Sequence, residues 1–195
     1  MISRRVQIAM VALVALILGM GYYAIRLKQK AEARARVLEV APVPPPVAGP
    51  PQPLTVFVAN DREMTIRQQQ VHVAAPAEQV ERARTALTEL IRISSEQSAT
   101  HPLGSGAEVR AVFVVNQNLG VVDLNQAFAD SHRSGIMVEE LTIVSLVETL
   151  AANLPGITRV KFLVEGKERE TLAGHADLKS TYDVASVAQI ARELQ

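Results

Sequence analysis

The chain has 195 residues, of which 48% are hydrophobic, enough for one packed domain with appendages. Its formal net charge is zero, but residues 1–30 hold five basic and no acidic residues, which leaves 15 basic against 20 acidic residues elsewhere. That acidic excess argues against nucleic acid as a partner, because phosphate neutralisation needs clustered Lys and Arg. The absence of cysteine excludes disulfides, thiolate nucleophiles, Cys-ligated zinc and lipid attachment through an N-terminal cysteine.

The N-terminal part predicts a membrane anchor. After a short basic N-terminus, residues 1–5, the segment Val6–Ile25 is a run of 20 residues in which only Gln7 is strongly polar. That is about the length that crosses a hydrocarbon core of roughly 30 Å. A cleaved signal peptide is the alternative, but it needs a shorter apolar region and a small-x-small site, whereas this run ends in bulky residues around Tyr22 and Tyr23. We therefore expect an uncleaved single-pass transmembrane helix, with the membrane as a partner through Val6–Ile25.

A charged stem and a proline-rich linker follow the predicted anchor. Residues 26–40 are rich in basic residues, and these oppose Arg4 and Arg5 under the positive-inside rule, so charge alone leaves the orientation open. Residues 41–53, APVPPPVAGPPQP, contain seven of the 10 prolines of the chain. Such a segment favours extended polyproline II, a stiff spacer of roughly 40 Å at about 3.1 Å per residue. A ligand for an SH3-like module is the alternative interpretation.

The first half of the predicted domain, residues 54–180, begins with two strands and a helix. Strands are predicted at 54–59 and 71–74, joined by the polar stretch 60–70, and a helix with Pro76 near its start and an apolar face runs to about Ile93. After a loop at 94–107, a hairpin is predicted from strands 108–115 and 120–124. Asn125 is expected to cap a short helix at 126–130.

The second half is organised around one long apolar helix, residues 138–154. Its polar surface is mostly a narrow stripe of small residues, Thr142, Ser145 and Thr149, which favours a helix wedged into a core. Pro155-Gly156 ends this helix, and a strand at 160–164 is predicted to pair with 169–172 in a second hairpin. Residues 181–195 predict a C-terminal amphipathic helix or tail, with Asp183 as its cap. This helix could either dock on the domain or fray.

No catalytic constellation emerges from the residues, so we expect a protein that is not an enzyme and has no catalytic, cofactor-binding or metal-binding residues. The four histidines, His72, His101, His132 and His175, stand apart without the spacing of metal ligands. His175 and Asp177 could form a metal or acid–base pair, although a turn beside the last strand is the interpretation that we favour.

Two further residues are weighed against ordinary structural roles. Ser105 lies between two glycines but lacks the GxSxG context of a nucleophile elbow and the Lys-Ser/Thr of a phosphate loop. Asp123, at the end of a predicted strand, could coordinate a ligand, but an aspartate there more commonly caps the next turn.

The order of these elements resembles the GerMN domain of bacterial sporulation and germination proteins. The resemblance spans about residues 54–179 and rests on GVVDLNQAF (120–128) and on the helix 141–154 followed by PGITRVKFLVEGKERETLAGH (155–175). In the first motif Asn125 stands where the family tends to have Ser. The resemblance implies an α+β fold, a mostly antiparallel sheet packed against two main helices, tethered outside the cytoplasmic membrane by a lipid or a single span.

Three functions remain open after this resemblance. The leading interpretation is a non-catalytic, extracytoplasmic module of the cell envelope that assembles with protein partners or with copies of itself through exposed sheet edges. The second is a module that binds peptidoglycan or a small envelope metabolite, although aromatic residues make up only 4% of the chain and Trp is absent. The third is a hydrolase with an unrecognised site.

Overall fold

Two antiparallel strands, β1 (Pro51–Asn60) and β2 (Thr65–Ala74), form a two-stranded sheet. They open the part of the protein that the computed structural model describes, which is Met20 and residues 51–195. Strand β1 is longer than predicted and begins inside the proline-rich segment 41–53. The prediction of a polar connection over 60–70 is wrong, because β2 begins at Thr65. Hydrophobic periodicity could not reveal this half of β2, since backbone pairing with β1 holds residues 67–70, whose side chains are all exposed.

Helix α1 (Gln79–Ser94) packs its apolar face against β1, as its periodicity predicts. The helix begins with Glu78, whose carboxylate accepts hydrogen bonds from the backbone N–H of Val80 at 3.1 Å and of Glu81 at 2.7 Å. These contacts satisfy two of the free amides at the helix start. Pro76 therefore lies ahead of the cap rather than in the first turn, where we predicted it.

A second sheet has four strands in the order β3-β4-β5-β6. Strands β3 (Val109–Val115) and β4 (Leu119–Leu124) form the predicted antiparallel hairpin, but β4 and β5 (Arg159–Val164) run parallel. The α+β class is confirmed, and three of the four strand pairings in the described residues are antiparallel. These strands form one antiparallel and one mixed sheet rather than the single sheet that we predicted. A parallel pair requires a long crossover, which here contains α2 (Gln126–Asp130) and α3 (Ile136–Asn153).

The predicted second hairpin, 160–164 with 169–172, is wrong. Strand β5 pairs instead with β6 (Tyr182–Asp183), through Arg159 opposite Asp183 and Val160 opposite Tyr182. Only an isolated bridge between Val164 and Lys167 remains of the hairpin. The chain then leaves the sheet because residues 173–176 bind a carboxylate on α3, as described below.

Helix α3 (Ile136–Asn153) is the centre of the fold, as predicted. It packs against β1, α1 and α4, and nearly every apolar side chain from Leu141 to Leu150 is buried. Its polar stripe covers the outer edge of β1. Thr149 accepts a hydrogen bond from Phe57 N at 2.9 Å, and the Asn153 side chain both accepts from Thr55 N at 3.2 Å and donates to Thr55 O at 2.6 Å.

Helix α4 (Val184–Glu193) docks on the domain rather than fraying. Asp183 caps it, accepting from Ser186 N at 2.8 Å, while Val187 and Ala191 are buried. The carbonyl of Leu194 accepts from Ile66 N on β2 at 2.9 Å, so the C-terminal segment closes onto the first sheet.

Within Met20 and residues 51–195, none of the helices is long and apolar enough for a membrane span. The anchor predicted at Val6–Ile25 lies outside the described residues except for Met20, as do the stem 26–40 and residues 41–50 of the linker.

Candidate functional site

Strand β3 carries three consecutive exposed hydrophobic residues in its C-terminal half. Phe113, Val114 and Val115 follow one another along it with exposed fractions of 52%, 38% and 42%. On one side β3 pairs with β4, and on its other side no strand of the described residues pairs with it. Its backbone N–H and C=O groups on that side are therefore available to another extended segment.

The other sheet edges of the described chain are protected. Helix α3 covers the outer edge of β1, and β6 is only two residues long. The free side of β2 carries the polar sequence Arg67-Gln68-Gln69-Gln70. Short, polar or covered edges are the usual devices against unwanted strand pairing. Strand β3 uses none of them in its C-terminal half.

The N-terminal half of β3 is fixed by an ion-pair cluster beside a bulge at Val109/Ala111. Arg110 donates to Asp123 at 3.0 Å and lies 3.2 Å from the carboxylate of Glu165. Asp123 also accepts from Gly166 N at 2.7 Å. Asp123 thus holds the turn after β5, whereas Asn125 caps α2 as predicted by accepting from Phe128 N at 2.9 Å.

A buried polar chain connects four residues from different parts of the sequence, Asp61, His101, Thr142 and His132. His101 Nδ1 lies 2.5 Å from Asp61 Oδ1, and His101 Nε2 lies 2.7 Å from the hydroxyl of Thr142. His132 Nε2 contacts the same hydroxyl at 2.7 Å. The expectation that the four histidines stand apart is wrong for this pair, because α1 and α3 bring the loops that carry them together. The spacing of the two histidines in the sequence did not indicate this contact. Their shared partner, Thr142, was interpreted only as part of the small polar stripe.

The Thr142 hydroxyl also donates to the carbonyl of Val138 at 3.0 Å. His132 Nδ1 faces the carbonyl of Arg133 at 2.8 Å and must donate to it. Burial lowers the pKa of His132 from its usual 6.5.

The order Asp61, His101, Thr142 is that of a hydrolase triad, but its hydroxyl is inaccessible. Thr142 is 2% exposed, and its oxygen is shared by two imidazoles, so a substrate carbonyl has no approach to it. A nucleophilic hydroxyl needs an open face beside the oxyanion position. The chain is a structural network that joins α3 to the β1–β2 turn.

Glu139 is the residue whose role the sequence concealed most fully. It lies in the first turn of α3, where a carboxylate is favoured by the helix dipole, yet its side chain is 0% exposed. Its carboxylate accepts from the backbone N–H of Ala173 at 3.1 Å, His175 at 2.9 Å and Ala176 at 2.8 Å, and lies 2.9 Å from His175 Nδ1. Burial alone would raise the pKa of Glu139, but these hydrogen bonds outweigh it and lower the pKa to about 2.

The loop held by Glu139 forms one wall of an apolar cleft of about 230 Å³. His175 and Ala176 face Ile143 of α3 and Ile190 of α4 across this cleft. Burial, with the charges of Asp177, Glu139 and Glu140, raises the pKa of Tyr182 in its wall to about 12. His175 pairs with Glu139 and not with Asp177. Asp177 instead accepts a hydrogen bond from Lys179 N at 2.7 Å.

The remaining residues that we weighed have ordinary positions. His72 lies in β2, and Ser105 is exposed in the loop before β3. Within Met20 and residues 51–195, no group of three or more His, Cys, Asp or Glu residues is arranged to hold a metal ion.

The comparison with protein families decides the identity of this fold. The family model described as "Germane: Sporulation and spore germination" matches residues 55–170, more than half of the chain. The chain belongs to the Germane family. The GerMN resemblance drawn from the two sequence motifs is confirmed.

Solved structures similar to this Germane-family chain include GerMN domains. A candidate lipoprotein from Clostridium perfringens has 15% identity and a TM-score of 0.48, over 69% of this chain and 88% of that one. The tandem GerMN domains of the sporulation protein GerM from Bacillus subtilis also give 15% identity and 0.48, over 67% of this chain and 45% of that one. The first GerMN domain of GerM gives 14% and 0.45, over 66% and 94%. No curated protein matches the chain.

Proposed function

We propose that this Germane-family protein is a non-catalytic assembly module of the bacterial cell envelope, anchored by Val6–Ile25 with its domain outside the cytoplasmic membrane. The observation that carries the proposal is the exposed apolar edge strand β3, with Phe113, Val114 and Val115 in sequence. Family membership and the apolar N-terminal run support the location.

The partner that fits this edge is a second copy of the same strand. Antiparallel self-pairing centred on Phe113 sets Phe113 opposite its counterpart and Ala111 opposite Val115. Arg110, the one charged residue of β3, then faces the neutral Asn116. Aromatic and β-branched cross-strand pairs are favourable, and opposed like charges are avoided. Two four-stranded sheets would join into one continuous sheet.

Sedimentation of the fragment 51–195, which contains all of the described core, tests this association. We expect a concentration-dependent dimer for the wild type, and a monomer for Phe113→Lys, because the substitution sets two lysines opposite each other at the centre of the pairing. Gln68→Lys adds the same charge on the polar edge of β2 and should leave the dimer intact. A wild-type fragment that stays monomeric at high concentration would refute self-pairing.

Thiol labelling in intact cells tests the location. Because the chain has no cysteine, a single Ser105→Cys variant offers one exposed thiol to a membrane-impermeant maleimide. With any outer membrane permeabilised, we expect labelling before the cytoplasmic membrane is broken. Labelling only after lysis would place the domain in the cytoplasm, as the basic stem 26–40 alone would favour.

A further inference from the structure

A second surface of the domain, polar where the edge of β3 is apolar, is a cleft of about 500 Å³. The β1–β2 turn forms one wall with Arg62, the loop after α1 forms another with Gln97 and Ser98, and Arg133 completes it. Its lining includes no aromatic and no large aliphatic side chain, so it offers hydrogen bonds and charge rather than apolar contact.

The walls of the cleft are fixed to each other. Asp61 N donates to Thr100 O at 3.1 Å, and the Thr100 hydroxyl donates to Ala59 O at 2.6 Å. The turn itself is held by Asn60, whose side-chain oxygen accepts from Arg62 N at 3.0 Å and from Glu63 N at 3.2 Å. A site with fixed walls loses little entropy when a ligand binds.

The buried network of Asp61, His101, Thr142 and His132 reaches the wall of the cleft through Asp61. Asp61 uses one carboxylate oxygen to bind His101 and the other to bind Arg133, so its charge is compensated and Arg133 is held in place. Glu63 pairs with Arg67 at 2.7 Å. Two arginines and two carboxylates line the cleft, but Arg62 forms no ion pair with any residue of the described part. The one charge of the lining without an oppositely charged partner is therefore positive.

We propose that this cleft binds an oxyanion, the phosphate or carboxylate group of a small envelope molecule, with Arg62 and Arg133 as its charged donors. A guanidinium presents five N–H donors in a planar fork that matches such a group, and Arg133 spends part of that fork on Asp61. Gln97 and Ser98 add neutral donors at the opposite wall. The assignment is independent of strand β3 and adds a ligand to a module proposed above for assembly.

Calorimetric titration of the purified full-length protein in neutral detergent tests the site, with inorganic phosphate as the probe at constant ionic strength. We expect saturable binding to one site and at least a tenfold loss of affinity in Arg62→Ala, since a hydrogen bond to a charged group contributes about 1.5–3 kcal/mol. Arg159→Ala is the matched control, because it removes the charge of an exposed arginine on β5 that forms no ion pair in the described part and does not line the cleft. It should change the affinity by less than about twofold.

Two additional arms sharpen the assignment. Arg133→Lys keeps the charge but loses the fork, and it should weaken phosphate binding while retaining the folded circular dichroism spectrum. Competition by dihexanoyl phosphatidylglycerol below its micelle concentration would identify a lipid headgroup as the source of the oxyanion, and competition by acetate alone would identify a carboxylate. Phosphate heats that do not saturate, or equal losses in Arg62→Ala and Arg159→Ala, would overturn the proposal.

Discussion

Glu139 keeps a full negative charge in the interior of the domain because a loop turns its backbone amides toward it. Three N–H groups from residues 173–176 and the ring of His175 replace the water that the carboxylate loses. A buried charge without such partners would cost far more than any packing gain. The same contacts explain why the chain leaves the sheet after β5 instead of folding back as a hairpin.

This carboxylate makes stability depend on pH in a defined window. The pKa of Glu139 falls from 4.5 to about 2 on folding, so its contribution is fully present above pH 4.5 and is lost as pH falls toward 2. The difference corresponds to about 3 kcal/mol. We expect urea unfolding of fragment 51–195 to show this loss between about pH 5 and pH 2, and Glu139→Gln to lack that component while being less stable at pH 7.

The solvent-exposed Glu170 provides the control for this experiment. It pairs with Lys179 on the surface, and Glu170→Gln should leave the acid dependence almost unchanged. If Glu139→Gln and the wild type lost stability in parallel as the pH fell, Glu139 would not be the group responsible.

At the scale of elements, α3 determines how much could be predicted. Its length, its burial and the strand after it followed from the spacing of apolar residues, because a period of 3.6 reports a buried helix directly. The parallel pairing of β4 with β5 did not, since it depends on a crossover that periodicity does not encode. The roles of Thr142, Thr149 and Glu139 were equally hidden, because each is defined by a partner many residues away.

The polar stripe of α3 yields a prediction with an internal control. Thr149→Val preserves the side-chain shape but leaves Phe57 N without its acceptor, and it should lower the free energy of unfolding by about 1–3 kcal/mol. Ser145 lies on the same stripe, and its buried hydroxyl has no hydrogen-bond partner among the described residues. Ser145→Ala should therefore be neutral or slightly stabilising. Equal effects of the two substitutions in urea unfolding would show that Thr149 does not protect the edge of β1.

At the scale of the whole molecule, β3 has the one sheet edge among the described residues that is neither short, polar nor covered. Helix α3 covers β1, polar side chains line β2, and β6 is two residues long, whereas β3 exposes three large apolar side chains beside unpaired backbone. Proteins normally avoid such an edge because it recruits other strands. On a chain predicted to be confined to a membrane by Val6–Ile25, the same edge would meet its copies at high local concentration.

Cysteine cross-linking of the full-length protein in its own membrane tests this account most directly. Single-cysteine variants at residues 111–115 and a Gln68→Cys variant on the β2 edge would be treated with a short bismaleimide, in a chain that has no other cysteine. The account predicts a cross-linked dimer that is several times more abundant for the β3 variants and strongest near Phe113. Equal yields at β3 and Gln68, or no dimer at any β3 position, would contradict assembly through this edge.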